Sequence, residues 1–235
     1  LTYMGMHLSS LLVIRPIANL IKSLNPEIAN EQLRNLAVGW TTFITFFIAL
    51  LVSLIFISRD KGFFNGIFKG QKASIPMAIV WGVFGFVLVL TGQVIAGLIE
   101  QLIGVKAGSD STAALTSIAK VSPIIILSIV FIGPFLEELV FRRVIFGSLY
   151  QTTNFLIAGL VSAIVFGAIH MEFEHILIYT TTGFIFAFLY QKTKRLLTTV
   201  IAHMMLNGFV VFVQIFAKPL EEWSKNIESF IQFFL

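Results

Sequence analysis

An apolar run, IIILSIVFIGPFLEELVFRR (124–143), carries two carboxylates and two guanidinium groups in its second half. Glu138 and Arg142 are four residues apart, so on a helix they share a face and can form an ion pair that offsets the desolvation of both. Glu137 points about 100° away from Glu138 and has no partner at that spacing. A charge at the centre of a membrane span costs about 2.5–3.5 kcal/mol. We therefore expect Glu137 to face another helix, water or a proton, and we take it as a candidate catalytic residue.

A proline precedes the two carboxylates by about one turn. Pro134 has no N–H to donate, and in an α-helix its presence frees the carbonyl of Val130. Such breaks at membrane depth are tolerated where the backbone lines a cavity. The simpler alternative is an ion pair near the membrane interface, with the arginine side chains extended towards the lipid headgroups. That alternative does not explain the shorter and deeper Glu137, so we favour a functional interpretation.

Three further polar side chains lie in apolar segments that follow. His170 ends the run SAIVFGAIH, and His203 and Asn207 lie in TTVIAHMMLNGFVVF, four residues apart on one helical face. Each of these side chains alone could serve packing or an interhelical hydrogen bond. Together with the glutamates they form a set drawn from three segments, and our hypothesis is that they line one hydrated cavity.

These residue types can together hydrolyse an amide bond without forming a covalent intermediate with the protein. A carboxylate beside an imidazole can deprotonate water, and an imidazole and an amide four residues apart can donate to one developing oxyanion. The sequence contains no GxSxG, HExxH or GxGD pattern and no cysteine, which excludes a cysteine nucleophile and thiolate metal sites. HMEFEH (170–175) is interpreted as a polar loop, because its two histidines are five apart and not on one face.

The composition indicates that these residues are positioned by membrane helices. Of the 235 residues, 57% are hydrophobic and only 12% are charged, with a mean hydropathy of +0.93. We predict an all-α, polytopic transmembrane bundle in a single domain, 1–235, since a span needs about twenty apolar residues. The predicted spans number about seven and lie near 4–21, 36–58, 76–99, 121–149, 154–171, 175–190 and 196–217.

We interpret the net charge of +4 through the positions of lysine and arginine, which indicate the orientation of the chain in the membrane, and not as a sign of nucleic-acid binding. Loops 59–72 and 191–195 are rich in lysine and arginine and are predicted to be cytoplasmic, which places 100–120 outside. The tail 219–235 alternates apolar and charged residues at helical spacing. We predict an amphipathic interfacial helix there, with packing against the bundle as the alternative.

Three motifs now stand in order on separate apolar segments: EExxxR at 137–142, FxxxH at 166–170 and HxxxN at 203–207. In these motifs the chain resembles the CPBP family, which joins the type II CAAX prenyl proteases with bacterial Abi and bacteriocin-processing membrane proteins. The resemblance covers 121–215, which it identifies as the catalytic core. It implies a metal-independent glutamate-type intramembrane endopeptidase with no cofactor; zinc remains a minority alternative.

The resemblance also implies a role for each motif residue. Glu137 and His170 would activate water, Glu138 would pair with Arg142 and orient the site, and the remaining two would stabilise the tetrahedral oxyanion: His203 and Asn207. The substrate would reach the site from the cytoplasmic side or laterally from the bilayer.

The expected partners are a peptide or protein substrate and the lipid bilayer, without nucleic acid. We expect a multi-pass protein of a bacterial plasma membrane that processes a small secreted or membrane-associated peptide, such as a bacteriocin leader or a signalling peptide. Two alternatives stay open: a non-catalytic bacteriocin immunity protein and, less favoured, a proton-coupled transporter, since buried Glu and His also build proton relays.

Overall fold

A computed structural model describes residues 2–106 and 108–234, with side chains for all of these except 2–4, 7, 110 and 217–234. Helices account for the regular structure throughout these ranges, and no strand occurs in them. The predicted all-α class is confirmed.

Within the described residues, eight α-helical segments follow one another, with a short 3₁₀ segment, Phe173–His175, before the seventh. The fifth, α5 (125–152), is a continuous helix in which two π-helical stretches, Ser128–Ile132 and Leu139–Phe146, interrupt the α-helical geometry. The others are α1 (Thr2–Leu24), α2 (Asn30–Arg59), α3 (Ile75–Leu102), α4 (Asp110–Val121), α6 (Phe155–Ala168), α7 (Ile176–Thr193) and α8 (Leu196–Phe234).

Four helical stretches in the described part of the chain are long and apolar enough to cross a membrane: Asn30–Arg59, Ile75–Leu102, Phe173–Thr193 and Leu196–Phe216. Many large apolar side chains on their outer faces are exposed, as contact with lipid requires, including Phe56 and Val80. The other predicted spans are also helical, but α6 has only 14 residues and α5 carries the charged motif. The chain is a polytopic membrane protein.

Two features of the fold differ from the sequence prediction. Residues 110–121 form a separate helix, α4, within the segment that was expected to be an external loop. The last helix runs from Leu196 to Phe234 as one element. The amphipathic face predicted for 219–235 lies outside the residues whose side chains are described.

Loops and helix caps fix the two ends of the bundle. At one end, Lys194 adopts a left-handed conformation (φ 57°) that ends α7, and its ammonium group donates to the carbonyl of Lys69. At the opposite end, the buried carboxylate of Glu100 accepts hydrogen bonds from the N–H groups of Leu177 and Ile178 at the start of α7. These contacts set the axial position of α7 relative to α3.

The helices that carry the motifs pack closely because small residues lie between them. A Cβ at Gly183 would come within 2.9 Å of the Cα of Ala163, so α6 and α7 approach at backbone distance. This approach buries Phe166 and Phe186 fully, beneath the polar residues of α5 and α8.

Candidate active site

The ion pair predicted between Glu138 and Arg142 is present and lies deep inside the protein. Arg142 Nε is 2.9 Å from Glu138 Oε2, and both side chains have no exposed surface. A second guanidinium nitrogen of Arg142 donates to Ser162 Oγ at 3.2 Å, and Ser162 Oγ donates to the carbonyl of Phe141. The arginine therefore does not extend to the headgroups; it anchors Glu138 and ties α5 to α6.

His203 lies between the two glutamates. Its Nδ1 is 3.0 Å from Glu138 Oε1, and its Nε2 is 3.7 Å from Glu137 Oε2. An ionised carboxylate only accepts hydrogen bonds, so Nδ1 carries a proton and Nε2 is turned towards Glu137. The imidazole stacks on Phe186, with the ring centroids 4.8 Å apart, which fixes the ring plane.

His170 is held at the end of α6. Its Nδ1 donates to the carbonyl of Phe166 at 2.8 Å, which leaves Nε2 as the hydrogen-bond acceptor of the neutral ring. The ring stacks on Tyr179 with centroids 4.2 Å apart, and the Tyr179 hydroxyl donates to Glu172 at 2.7 Å. The phenylalanine of FxxxH thus positions the histidine of the same motif through its backbone.

Asn207 donates to the carbonyl of Ile129 at 2.7 Å. In the π-helical turn the N–H of Gly133 bonds to the carbonyl of Ser128, five residues back. In the same register the next donor would be residue 134, bonding to Ile129, but proline has no N–H. The Asn207 amide supplies the missing donor. The carbonyl freed by Pro134 is therefore that of Ile129, and not that of Val130 as the α-helical register predicted.

One cavity of about 520 Å³ brings the site residues together. Four of the six candidates line it: Glu137, His170, His203 and Asn207. The other two, Glu138 and Arg142, are buried behind it: Glu138 contacts the lining residue His203, and Arg142 pairs with Glu138. The convergence that the hypothesis required is present in the geometry, whereas the catalytic roles stay predictions.

Several lining residues were not anticipated from the sequence. They come from α3, α4 and α7 and from the residues just before α4 and α7: Gln93, Ser109, Ser111, Thr112, Thr116, His175, Tyr179 and Thr182. Glu172, read from the sequence as a loop residue, accepts hydrogen bonds from Ser109 and Ser111 at the first turn of α4 and from Tyr179. The only sequence signal for the α4 contact was the capping serine before α4, because Ser109 and Ser111 are about sixty residues away from Glu172.

The residues present do not fit a zinc site. No group of three or more His, Asp or Glu side chains able to hold a metal ion occurs within the described ranges. The oxygens of Glu138 are engaged by Arg142 and His203 and are not open to a metal ion.

The chain has recognisable relatives. Residues 119–209 match the family model described as type II CAAX prenyl endopeptidase Rce1-like. The chain is 38% identical over 216 residues to the putative membrane peptidase YdiL of Bacillus subtilis (strain 168), which covers 92% of this chain and 87% of YdiL. It is 40% identical over 144 residues to the membrane-embedded CAAX protease MroQ of Staphylococcus aureus (strain USA300), 58% of each protein.

A shorter similarity extends to the UPF0177 protein YxdF of Lactococcus lactis subsp. lactis (strain IL1403), 37% identical over 79 residues, which covers 33% of this chain and 43% of YxdF. No solved structure matches the chain. The YdiL alignment spans nearly the whole chain, and the family model covers the three motifs that form the cavity. The chain therefore belongs to the type II CAAX prenyl endopeptidase-like family of membrane proteases.

Proposed function

We propose that this protein is a glutamate-type intramembrane endopeptidase in which Glu137 is the general base. The observation that carries the proposal is the single cavity lined by Glu137, His170, His203 and Asn207, with the Glu138–Arg142 pair buried behind it. We propose a peptide substrate that the cell secretes or keeps at the membrane surface.

The first step is the activation of water between Glu137 and His170. Glu137 takes one proton of the water, and the neutral His170 ring accepts a hydrogen bond from the other proton at Nε2. The oxygen adds to the carbonyl carbon of the substrate, and the carbonyl oxygen becomes the oxyanion. No covalent bond to the protein forms.

The second step is the collapse of the tetrahedral intermediate. The proton on Glu137 is near His203 Nε2, 3.7 Å from Glu137 Oε2, so it can pass to that nitrogen. Glu138 then faces the charged imidazole across the Nδ1 hydrogen bond, and Nε2–H becomes a donor for the oxyanion. The second N–H of the Asn207 amide can donate beside it. The proton finally reaches the leaving nitrogen as the C–N bond breaks.

The proposal is tested by the substitution Glu137→Gln in protein reconstituted into liposomes. The amide keeps the size of the side chain but cannot take a proton, so cleavage of a peptide library should fall about 10²–10⁴-fold. Glu174→Gln is the matched control, because Glu174 is exposed in the loop before α7 and should cleave at the wild-type rate. Wild-type cleavage by the Glu137→Gln protein would exclude Glu137 as the base.

A further inference from the structure

The two ends of the helical bundle differ in charge. The end at which α2 finishes and α3 begins carries a set of basic side chains, with one carboxylate among them: Arg59, Asp60, Lys61, Lys69, Lys72, Lys192, Lys194 and Arg195. The loops at the opposite end carry mostly carboxylates: Glu27, Lys106, Glu172 and Glu174. Since lysine and arginine are enriched in cytoplasmic loops, the first end faces the cytoplasm.

The structure joins the basic segments into one surface. Lys194 donates to the carbonyl of Lys69, Arg195 donates to the carbonyl of Ala73, and the ammonium of Lys192 lies over the ring of Trp81. The basic side chains of these segments therefore lie together at one end of the folded bundle.

The cavity extends away from this basic end. Along α8, His203 is eight residues and Gln214 nineteen residues beyond Arg195, which corresponds to about 12 Å and about 28 Å of helix at 1.5 Å per residue. Both residues line the cavity, and so do Ser109, Ser111 and His175, which belong to the loops at the carboxylate-rich end. Of the lining residues, Ser111 and Gln214 are exposed, and both lie at the carboxylate-rich end, so the cavity opens on the other side of the membrane from the basic loops.

The lining indicates what the cavity can hold. Near the mouth it presents hydroxyl and amide groups, from Gln93, Thr112 and Gln214, which can hydrogen-bond to a peptide backbone. The other lining residues are mainly apolar and include Phe46, Leu115, Leu206, Val210 and Ile215. This combination suits an extended peptide segment with uncharged side chains, because burial of a charged side chain there would be costly.

We infer that the cavity opens on the extracytoplasmic face of the membrane and takes an uncharged, extended segment of a polypeptide that has already been translocated. This proposal differs from the cytoplasmic or lateral access that the family resemblance implied. The substrate part of the inference rests on the proposed function; the orientation does not.

The orientation is tested by cysteine labelling, for which the chain is suited because it contains no cysteine. Glu174→Cys marks the mouth end and Lys61→Cys the basic end; both positions are exposed. In intact cells a membrane-impermeant maleimide should label Glu174→Cys, and it should label Lys61→Cys only after the membranes are opened. Ser117→Cys and Lys69→Cys form a second exposed pair in case one variant fails to fold. Any other pattern in intact cells, including labelling at both ends, overturns the inference.

The substrate part is tested by comparing protein N-termini in cells that express the wild type or Glu137→Gln. N-termini that depend on Glu137 should lie in secreted proteins or in external segments of membrane proteins, with uncharged residues on both sides of the cut. Cuts confined to cytoplasmic segments would overturn the inference and leave the peptidase proposal intact. Expected labelling without any Glu137-dependent N-terminus would instead refute the peptidase proposal, and the substrate assignment with it.

Discussion

The adjacent residues Glu137 and Glu138 have different environments, and we expect them to have different roles. Glu138 is fully enclosed, with its oxygens engaged by Arg142 and His203, whereas Glu137 lies on the cavity wall. Glu138 holds the His203 imidazole in one tautomer, and in the proposed mechanism Glu137 meets the water molecule. Neither glutamate can replace the other, although they are adjacent in the chain.

At the residue scale, the buried ion pair predicts the effect of Arg142→Met. The substitution leaves Glu138 as an unpaired buried charge, which costs about 3–5 kcal/mol. We expect a clear fall in the thermal unfolding midpoint in detergent, whereas Arg143→Met, beside Phe63 at the basic end, should change it little.

The double variant Glu138→Gln with Arg142→Met separates charge from packing. It removes both charges, so most of the stability should return, while activity stays low because His203 has lost its ionised acceptor. A double variant as unstable as Arg142→Met would show that the cost does not come from the orphaned carboxylate.

At the scale of the element, α5 depends on a side chain from another helix. The turn at Ser128–Ile132 leaves the carbonyl of Ile129 without a backbone donor, and Asn207 on α8 supplies one. The interruption caused by Pro134 thereby becomes a joint between α5 and α8, next to Glu137. Both helices must be in their native positions for this joint to form.

This joint predicts that Asn207→Leu destabilises the protein by about 1 kcal/mol, because a partly buried carbonyl loses its hydrogen-bond partner. Adding Pro134→Ala restores an N–H at position 134, so the double variant should regain stability, measured as the unfolding midpoint. Activity should not return if Asn207 also donates to the oxyanion. An unchanged midpoint for Asn207→Leu would refute the structural role.

A second element-scale contact holds α4 over the cavity. Burial raises the pKa of Glu172, but hydrogen bonds from Ser111, Tyr179 and Ser109 lower it more, to about 2 from its usual 4.5. A carboxyl whose pKa is lower in the folded state stabilises the fold above its unfolded pKa and loses this effect as pH falls. The contact should thus be constant at neutral pH and weaken between about pH 4.5 and pH 2.

We therefore expect Glu172→Gln to speed amide hydrogen exchange several-fold at the start of α4 at pH 7, because an ionised acceptor is replaced by a weaker neutral one. In the wild type, exchange at the start of α4, corrected for the intrinsic rate, should become faster as pH falls from 4.5 to 2. In Glu172→Gln this increase should be absent. Glu174→Gln, in the same loop but exposed, is the control. Equal exchange in both variants would show that Glu172 does not hold α4.

At the scale of the whole molecule, much of the fold could be predicted and part of the site could not. Local rules were sufficient for the helices, for Glu138 with Arg142 and for the shared face of His203 and Asn207, since all depend on spacing along one helix. The π-helical register, the Ile129 partner of Asn207 and the contacts of Glu172 join segments far apart in sequence. Such contacts depend on how the helices pack, which spacing does not specify.

The wide turn at Ser128–Ile132 also has a consequence for chain length. A turn closed by a five-residue step contains one residue more than an α-turn, which rotates everything beyond it by about 100° around the helix axis. In α5 that rotation decides which side of the helix presents Glu137. If this turn wound as an α-helix with all its residues kept, the carboxylate would rotate off the cavity wall, whereas deletion of one residue within the turn would restore α-helical geometry and keep the carboxylate in place. The surplus residue therefore sets the angle at which Glu137 faces the cavity.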